Sequence, residues 1–193
     1  MPRETIAFLS SLNIATQAIY VNGEIAVLAE MAGRNPSGVP EQYRPIVWWV
    51  AQQLGPEHEK LFASWPKTFL LEMPPFGKVL FCHATPGSEN EIFTKFTPDE
   101  RLSPIFNGLD ASVVVCGPTH MHFERTVGGI WIVNAHSAGM PFGNAGAYWL
   151  LLGWNIQFRH TPYLNSARLK TASISVSLGG CRTLPAAKFS ACG

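Results

Sequence analysis

The run Ser112-Val113-Val114-Val115-Cys116 constrains this chain more than any other feature. It is a continuous apolar stretch of the kind shown by a strand buried on both faces, inside a sheet covered on either side. Strand-like runs surround it. Residues 68–73 and 78–82 are joined by Pro74-Pro75-Phe76-Gly77, whose turn chemistry predicts a hairpin. Residues 122–127 and 130–134 flank Gly128-Gly129, a second two-residue hairpin signal. Residues 147–152 and 156–160 complete a strand-rich second half.

The first half reads as helical. Ile6, Leu9 and Leu12 behind an early proline suit a short amphipathic helix over residues 2–12. Residues 18–21 read as a strand running into an Asn22-Gly23 turn, before a helical stretch at 27–31. After a Pro/Gly/Ser loop at 33–40, residues 43–54 form a helix with Ile46, Val47, Trp49 and Val50 on its apolar face and Pro45 near its first turn. Another helix starts at Pro56, with Glu57 and Glu59 at the positive end of its dipole, and stops before Pro66, with Trp65 packed inward. Residues 89–106 hold short helices. This order predicts a layered α/β architecture with strands stacked as two sheets and helices outside. From residue 166 onward the chain is Ser/Ala/Gly-rich and is expected to be peripheral.

Composition narrows the function classes. At 193 residues and 47% apolar content the chain fits one domain with a substantial core. Charged residues are 14% of the total and the formal charge is +1, so no whole-chain field favours nucleic acid or a membrane surface. The longest apolar runs, 46–51 and 147–152, fall well short of the ~20 residues a spanning helix needs. Pro2, Arg3 and Glu4 lead into a stretch with no apolar leader segment, which points to the cytoplasm. Cys82, Cys116, Cys181 and Cys192 lack the spacing of a disulfide framework or a zinc knuckle, and Cys82 and Cys116 read as buried thiols.

Three loops after strand-like runs carry metal-capable residues: Val21-Asn22-Gly23-Glu24, Phe81-Cys82-His83-Ala84-Thr85-Pro86, and Cys116-Gly117-Pro118-Thr119-His120. Strand ends hold side chains rigidly, so ligands converge at the carboxyl edge of a sheet. Imidazole and carboxylate both suit Zn, Mn or Fe. His120 and His122 are two apart, so on an extended segment both point to one face and could chelate an ion. Ser137 reads as a turn-stabilising hydroxyl, since no acid/base partners accompany it. A structural zinc module built on Cys82, His83, Cys116 and His120 lacks close-paired spacing.

The order of the motifs carries a resemblance. The run 79–86 ending Cys-His-Ala-Thr-Pro, then Asn90-Glu91-Ile92-Phe93, then residues 113–121 with Gly117-Pro118-Thr119-His120, then Asn134-Ala135-His136-Ser137-Ala138-Gly139-Met140-Pro141 resembles the calcineurin-like metallophosphoesterases. The small bacterial and archaeal phosphodiesterase branch reads strand-HGxP, GHTH and NPGSVGxP in this order, and Tyr148-Trp149-Leu150-Leu151 and Arg159-His160-Thr161-Pro162-Tyr163 look like its last two strands. The resemblance implies a four-layer α/β sandwich over residues 1–165, with 166–193 as a tail. It also implies two metal ions that clamp a phosphate ester while a bridging hydroxide attacks.

The carry-over by residue is partial. His83 matches the HG histidine, and His120 matches the last histidine of GHxH, both metal ligands. Pro118 stands where the first histidine of GHxH belongs, and it has no donor. Gly23-Glu24-Ile25-Ala26 stands where GNHD is expected, so Glu24 replaces a metal-binding Asn and Ile25 replaces the His that assists the leaving group. His122 falls where the family has Pro, and His136 replaces a Gly of the NPGS loop; the bland reading of each is a structural residue without a ligand role. The DxH motif and the bridging Asp have no counterpart, so the sandwich is expected to be incomplete at its N-terminal side, with an exposed sheet edge that offers a route to homo-oligomers. Losing the bridging carboxylate leaves two like charges unscreened, which disfavours a binuclear site. The implied cofactor is a divalent metal (Mn, Zn, Fe or Ni), held weakly and at most one ion per chain by His83, His120 and Glu24. The implied activity is an impaired phosphoester hydrolase, and the alternative is an inactive relative that serves as a binding or scaffold protein.

Overall fold

The computed structural model describes residues 2–163. The expected tail at 166–193, with Cys181 and Cys192, lies outside them. Four helices come first: α1 (Pro2–Ser11), α2 (Asn22–Met31), α3 (Arg44–Gln53) and α4 (Pro56–Ala63). Proline at the first turn of α3 and α4 fits because the missing N–H would have no intrahelical partner there. α2 closes in a Schellman motif: Gly33 adopts φ +67, its N–H bonds the Glu30 carbonyl at 2.9 Å, and the Arg34 N–H bonds the Ala29 carbonyl at 2.8 Å. Buried Val27, Ala51 and Phe62 tie α2, α3 and α4 together, and Ile6 of α1 packs against them. Trp65 turns inward as expected, with its ring 4.9 Å from that of Phe62.

The strands then follow in nearly the expected places: β1 (Thr68–Met73), β2 (Gly77–Cys82), β3 (Val113–Cys116), β4 (His122–Val127), β5 (Ile130–Ala135), β6 (Ala147–Leu152) and β7 (Ile156–Thr161), with helix α5 (Asp99–Phe106) between β2 and β3. Five strands form one mixed sheet in the order β1-β2-β3-β5-β4, and β6 and β7 form a separate antiparallel pair. β2, β3 and β5 run parallel to one another, and the two hairpin strands β1 and β4 close the edges. The fold is therefore α/β, as the sequence predicts.

Side-chain alternation explains how both faces of the sheet are covered. Cys82, Val114, Cys116 and Ile132 face one way and pack with Phe93, Leu102 and Phe106 around α5. Val79, Val113, Val115 and Val133 face the other way and pack with Leu150, Leu152 and Ile156 of the β6-β7 hairpin. Val113, Val114, Val115 and Cys116 are all buried, which fulfils the reading of the run 112–116 as a two-sided strand.

Two expectations in the first half are corrected. Residues 18–21 are not a strand: Tyr20 donates its N–H to the Pro66 carbonyl at 2.8 Å, and no ladder forms around that bond. Asn22-Gly23 is not a turn but the first residues of α2, which begins five residues earlier than the apolar pattern suggests. The cause is Glu24, whose carboxylate reaches back to accept the Val21 N–H at 3.3 Å and caps the helix. Among the described residues no helix is long and apolar enough to cross a membrane.

Candidate functional site

Because β2, β3 and β5 are parallel neighbours, their carboxyl ends meet at one edge of the sheet. His83 leaves β2, the segment Gly117-Pro118-Thr119-His120 leaves β3, and His136 leaves β5. The three loops are crowded together at Gly117. Its N–H bonds the His83 carbonyl at 2.9 Å, and a side chain added there would meet the His136 carbonyl at 3.2 Å. A glycine is thus what lets the β5 loop approach the other two.

Asn134, fully buried at the end of β5, fixes the arrangement from beneath. Its Nδ2 donates to Thr119 Oγ1 at 3.0 Å, and its Oδ1 accepts the His136 N–H at 2.9 Å. One amide therefore sets the distance between two functional loops. His120 and His136 both take left-handed backbone, φ 52 and φ 74. Such conformations cost a non-glycine residue about 1–2 kcal/mol and persist only where surrounding bonds enforce them. Here the Phe142 N–H bonds the His120 carbonyl at 3.1 Å, while the His136 N–H is held by Asn134 and the His136 ring accepts from the Ser137 N–H.

The structure brings His83 and His120 together. Burial first, and then the charge of His120, push the His83 pKa below its ordinary value, with Glu89 opposing. The imidazole of His83 is therefore neutral near pH 7 and keeps a free lone pair. The acidic group acting on His83 is Glu89, which lies in the loop after β2 and forms an ion pair with Lys67 at 2.6 Å. Lys67 holds the Glu89 carboxyl below the usual range, against burial. Glu89 and Glu24 both act on Tyr20, Glu89 more strongly. Burial raises the Glu24 carboxyl, while the N–H groups of Glu24 and Val21 hold it down as a helix cap.

The other candidates have visible occupations. His122 Nε2 sits 2.9 Å from the Ala135 carbonyl, so that nitrogen is a donor and not a free ligand. His136 Nδ1 accepts the Ser137 N–H at 2.8 Å. The His136 ring stacks on Tyr148 at 3.8 Å and 7°, and Tyr148 stacks in turn on His160 at 4.2 Å. His122 meets this stack edge-on, 4.9 Å from His136. Ser137 Oγ accepts the Met140 N–H at 3.0 Å, the turn role expected of it. Cys82 and Cys116 lie in the core on the α5 side, where burial pushes the Cys82 thiol up to about 12 and Cys116 well above its ordinary value. Both thiols are packed among the core side chains, as the sequence predicts.

Sequence reasoning missed Glu89 and Asn134 as site residues. Glu89 lies in a mixed segment with no motif around it, and only the return of the loop toward His83 reveals it. Asn134 was visible as part of a motif, but its role depends on the pairing of β3 with β5.

Among the described residues no group of three or more His, Cys, Asp or Glu is placed to hold a metal ion. The donor set at the strand ends is two imidazoles, with the nearby Glu89 carboxylate engaged by Lys67. A two-metal centre needs more than that.

Neither a family model nor a curated protein matches this sequence. Solved structures do. A hypothetical protein from Pyrococcus horikoshii OT3 superposes with a TM-score of 0.66 over 83% of this chain and 68% of its own, at 11% identity. A metallophosphoesterase from Sphaerobacter thermophilus superposes with a TM-score of 0.61 over 84% of this chain and 72% of its own, at 19% identity. These likenesses show that the chain has the α/β fold of a metallophosphoesterase.

Proposed function

We propose that this chain binds phosphoesters at the strand-end site of His83 and His120, holds at most one divalent ion there weakly, and hydrolyses phosphoesters slowly. The observation that supports this reading is the convergence of a neutral His83 with His120 at the carboxyl edge of three parallel strands. Two imidazoles suit Mn, Zn, Fe or Ni in kind, but a catalytic site of this type uses three protein ligands or more. Pro118 offers no donor, Ile25 cannot move a proton, and Glu24 is held in its helix cap at 3.3 Å from Val21 N. The residues present therefore support binding better than turnover. A neutral imidazole can donate a hydrogen bond to a phosphoryl oxygen, and His83 is placed to do so without competing with an ion pair of its own.

The reading is tested by measuring metal content per chain together with phosphodiesterase turnover in added Mn²⁺ on the same sample. The expected result is at most one ion and low turnover, with both lost in His83→Ala and His120→Ala. Two tightly held ions per chain would overturn it in one direction. No metal, no turnover and no affinity for phenyl phosphate would overturn it in the other, leaving a binding or scaffold role.

A further inference from the structure

Away from the strand ends, a cavity of about 420 Å³ opens between α2, the loop that follows it, and α4. Half-buried Ile25, Leu28 and Ala29 give it an apolar wall, and exposed Arg34 and Glu59 stand on its rim. Its size falls in the range of about 300–1,000 Å³ usual for small-molecule sites, and Tyr20, Asn35 and Ser37 add polar groups to the lining beside Arg34 and Glu59. The rim is built, not incidental. The Schellman motif that closes α2 fixes the backbone of Arg34 through its N–H bond to Ala29, itself a wall residue. Glu59 comes from the other side, in the first turn of α4, and α2 packs directly on α4. The ion pairs and side-chain hydrogen bonds of the described residues include neither Arg34 nor Glu59, so two opposite charges face one cavity without neutralising each other.

We propose that this cavity binds a small zwitterion whose anionic end meets Arg34, whose cationic end meets Glu59, and whose aliphatic body lies on Ile25, Leu28 and Ala29. A molecule with one charge would leave the opposite rim charge facing it unpaired, while an uncharged apolar one would use neither. The site does not depend on the metal reading above, because it uses none of the strand-end histidines.

The experiment is calorimetric titration of the full chain in EDTA with ε-aminocaproate, and with caproate and hexylamine as analogues lacking one charge each. The zwitterion is expected to bind at one site, about fivefold more tightly than either analogue, in line with about 1 kcal/mol for a well-placed exposed ion pair. Arg34→Gln is expected to remove its advantage over hexylamine, and Glu59→Gln its advantage over caproate. Both side chains are exposed, so neither change threatens folding. Ala29→Trp, which fills the cavity, is expected to abolish binding, while His83→Ala leaves it intact. Equal affinities for the three probes, or no saturable binding, or a zwitterion affinity unmoved by both rim substitutions would overturn the proposal.

Discussion

Asn134 illustrates why single residues at the strand ends matter more than their chemistry suggests. It is fully buried, and its two hydrogen bonds reach two different loops. Replacing it with Ala removes two part-buried hydrogen bonds, to the Thr119 hydroxyl and the His136 N–H, which costs about 1–3 kcal/mol in denaturant unfolding. The same substitution frees the His120 loop, so phosphoester affinity is expected to fall along with stability. His83 and His120 were legible in the sequence because each follows an apolar run at a fixed offset. Glu89 was not, since a carboxylate brought in by a loop carries no local periodicity. Glu24 was legible as a carboxylate after an apolar run, but that run is not a strand, and helix capping, which spacing alone does not resolve, decides where its carboxylate bonds.

At the scale of elements, the strands were readable almost to the residue because turn chemistry brackets them: Pro-Pro-Phe-Gly before β2 and Gly-Gly between β4 and β5. The failure at 18–21 has a physical reason. A short apolar segment becomes a strand only if a neighbour offers a ladder, and these residues meet a proline carbonyl instead. The β6-β7 hairpin shows how an element can be docked by ring stacking. His136, Tyr148 and His160 stack in series, with His122 edge-on. Burial first, then the charges of His122, His120 and His160, lower the His136 pKa from 6.5 to about 4, against the pull of the Phe142 carbonyl. Between those two values the unfolded chain binds a proton that the folded chain refuses. The stability that His136 contributes is thus complete above pH 6.5 and lost as pH falls toward about 4. Thermal unfolding across that window should show the decline. His136→Asn, which tolerates the left-handed backbone and keeps an acceptor for Ser137, should flatten it.

Over the whole molecule, the fold and the missing motif residues were legible, and the placement of the remaining donors was not. Motif order and the two-sided strand at 113–116 both require a covered sheet, and the superpositions agree. Whether three loops deliver enough ligands to one point depends on tertiary distances that no single motif encodes. The sheet itself has a further consequence. Its two cores share no side chain: one is sealed by α5, the other by the β6-β7 hairpin. Leu102→Ala on α5 is expected to cost about 2–5 kcal/mol, and Leu150→Ala on β6 less, because Leu150 is only half-buried. Unfolding of the double variant should equal the sum of the two within about 0.5 kcal/mol, and a larger deviation would show that the faces communicate through the sheet. If the sum holds, the two sides can vary independently over evolutionary time, each acquiring new surface chemistry without asking the other to repack.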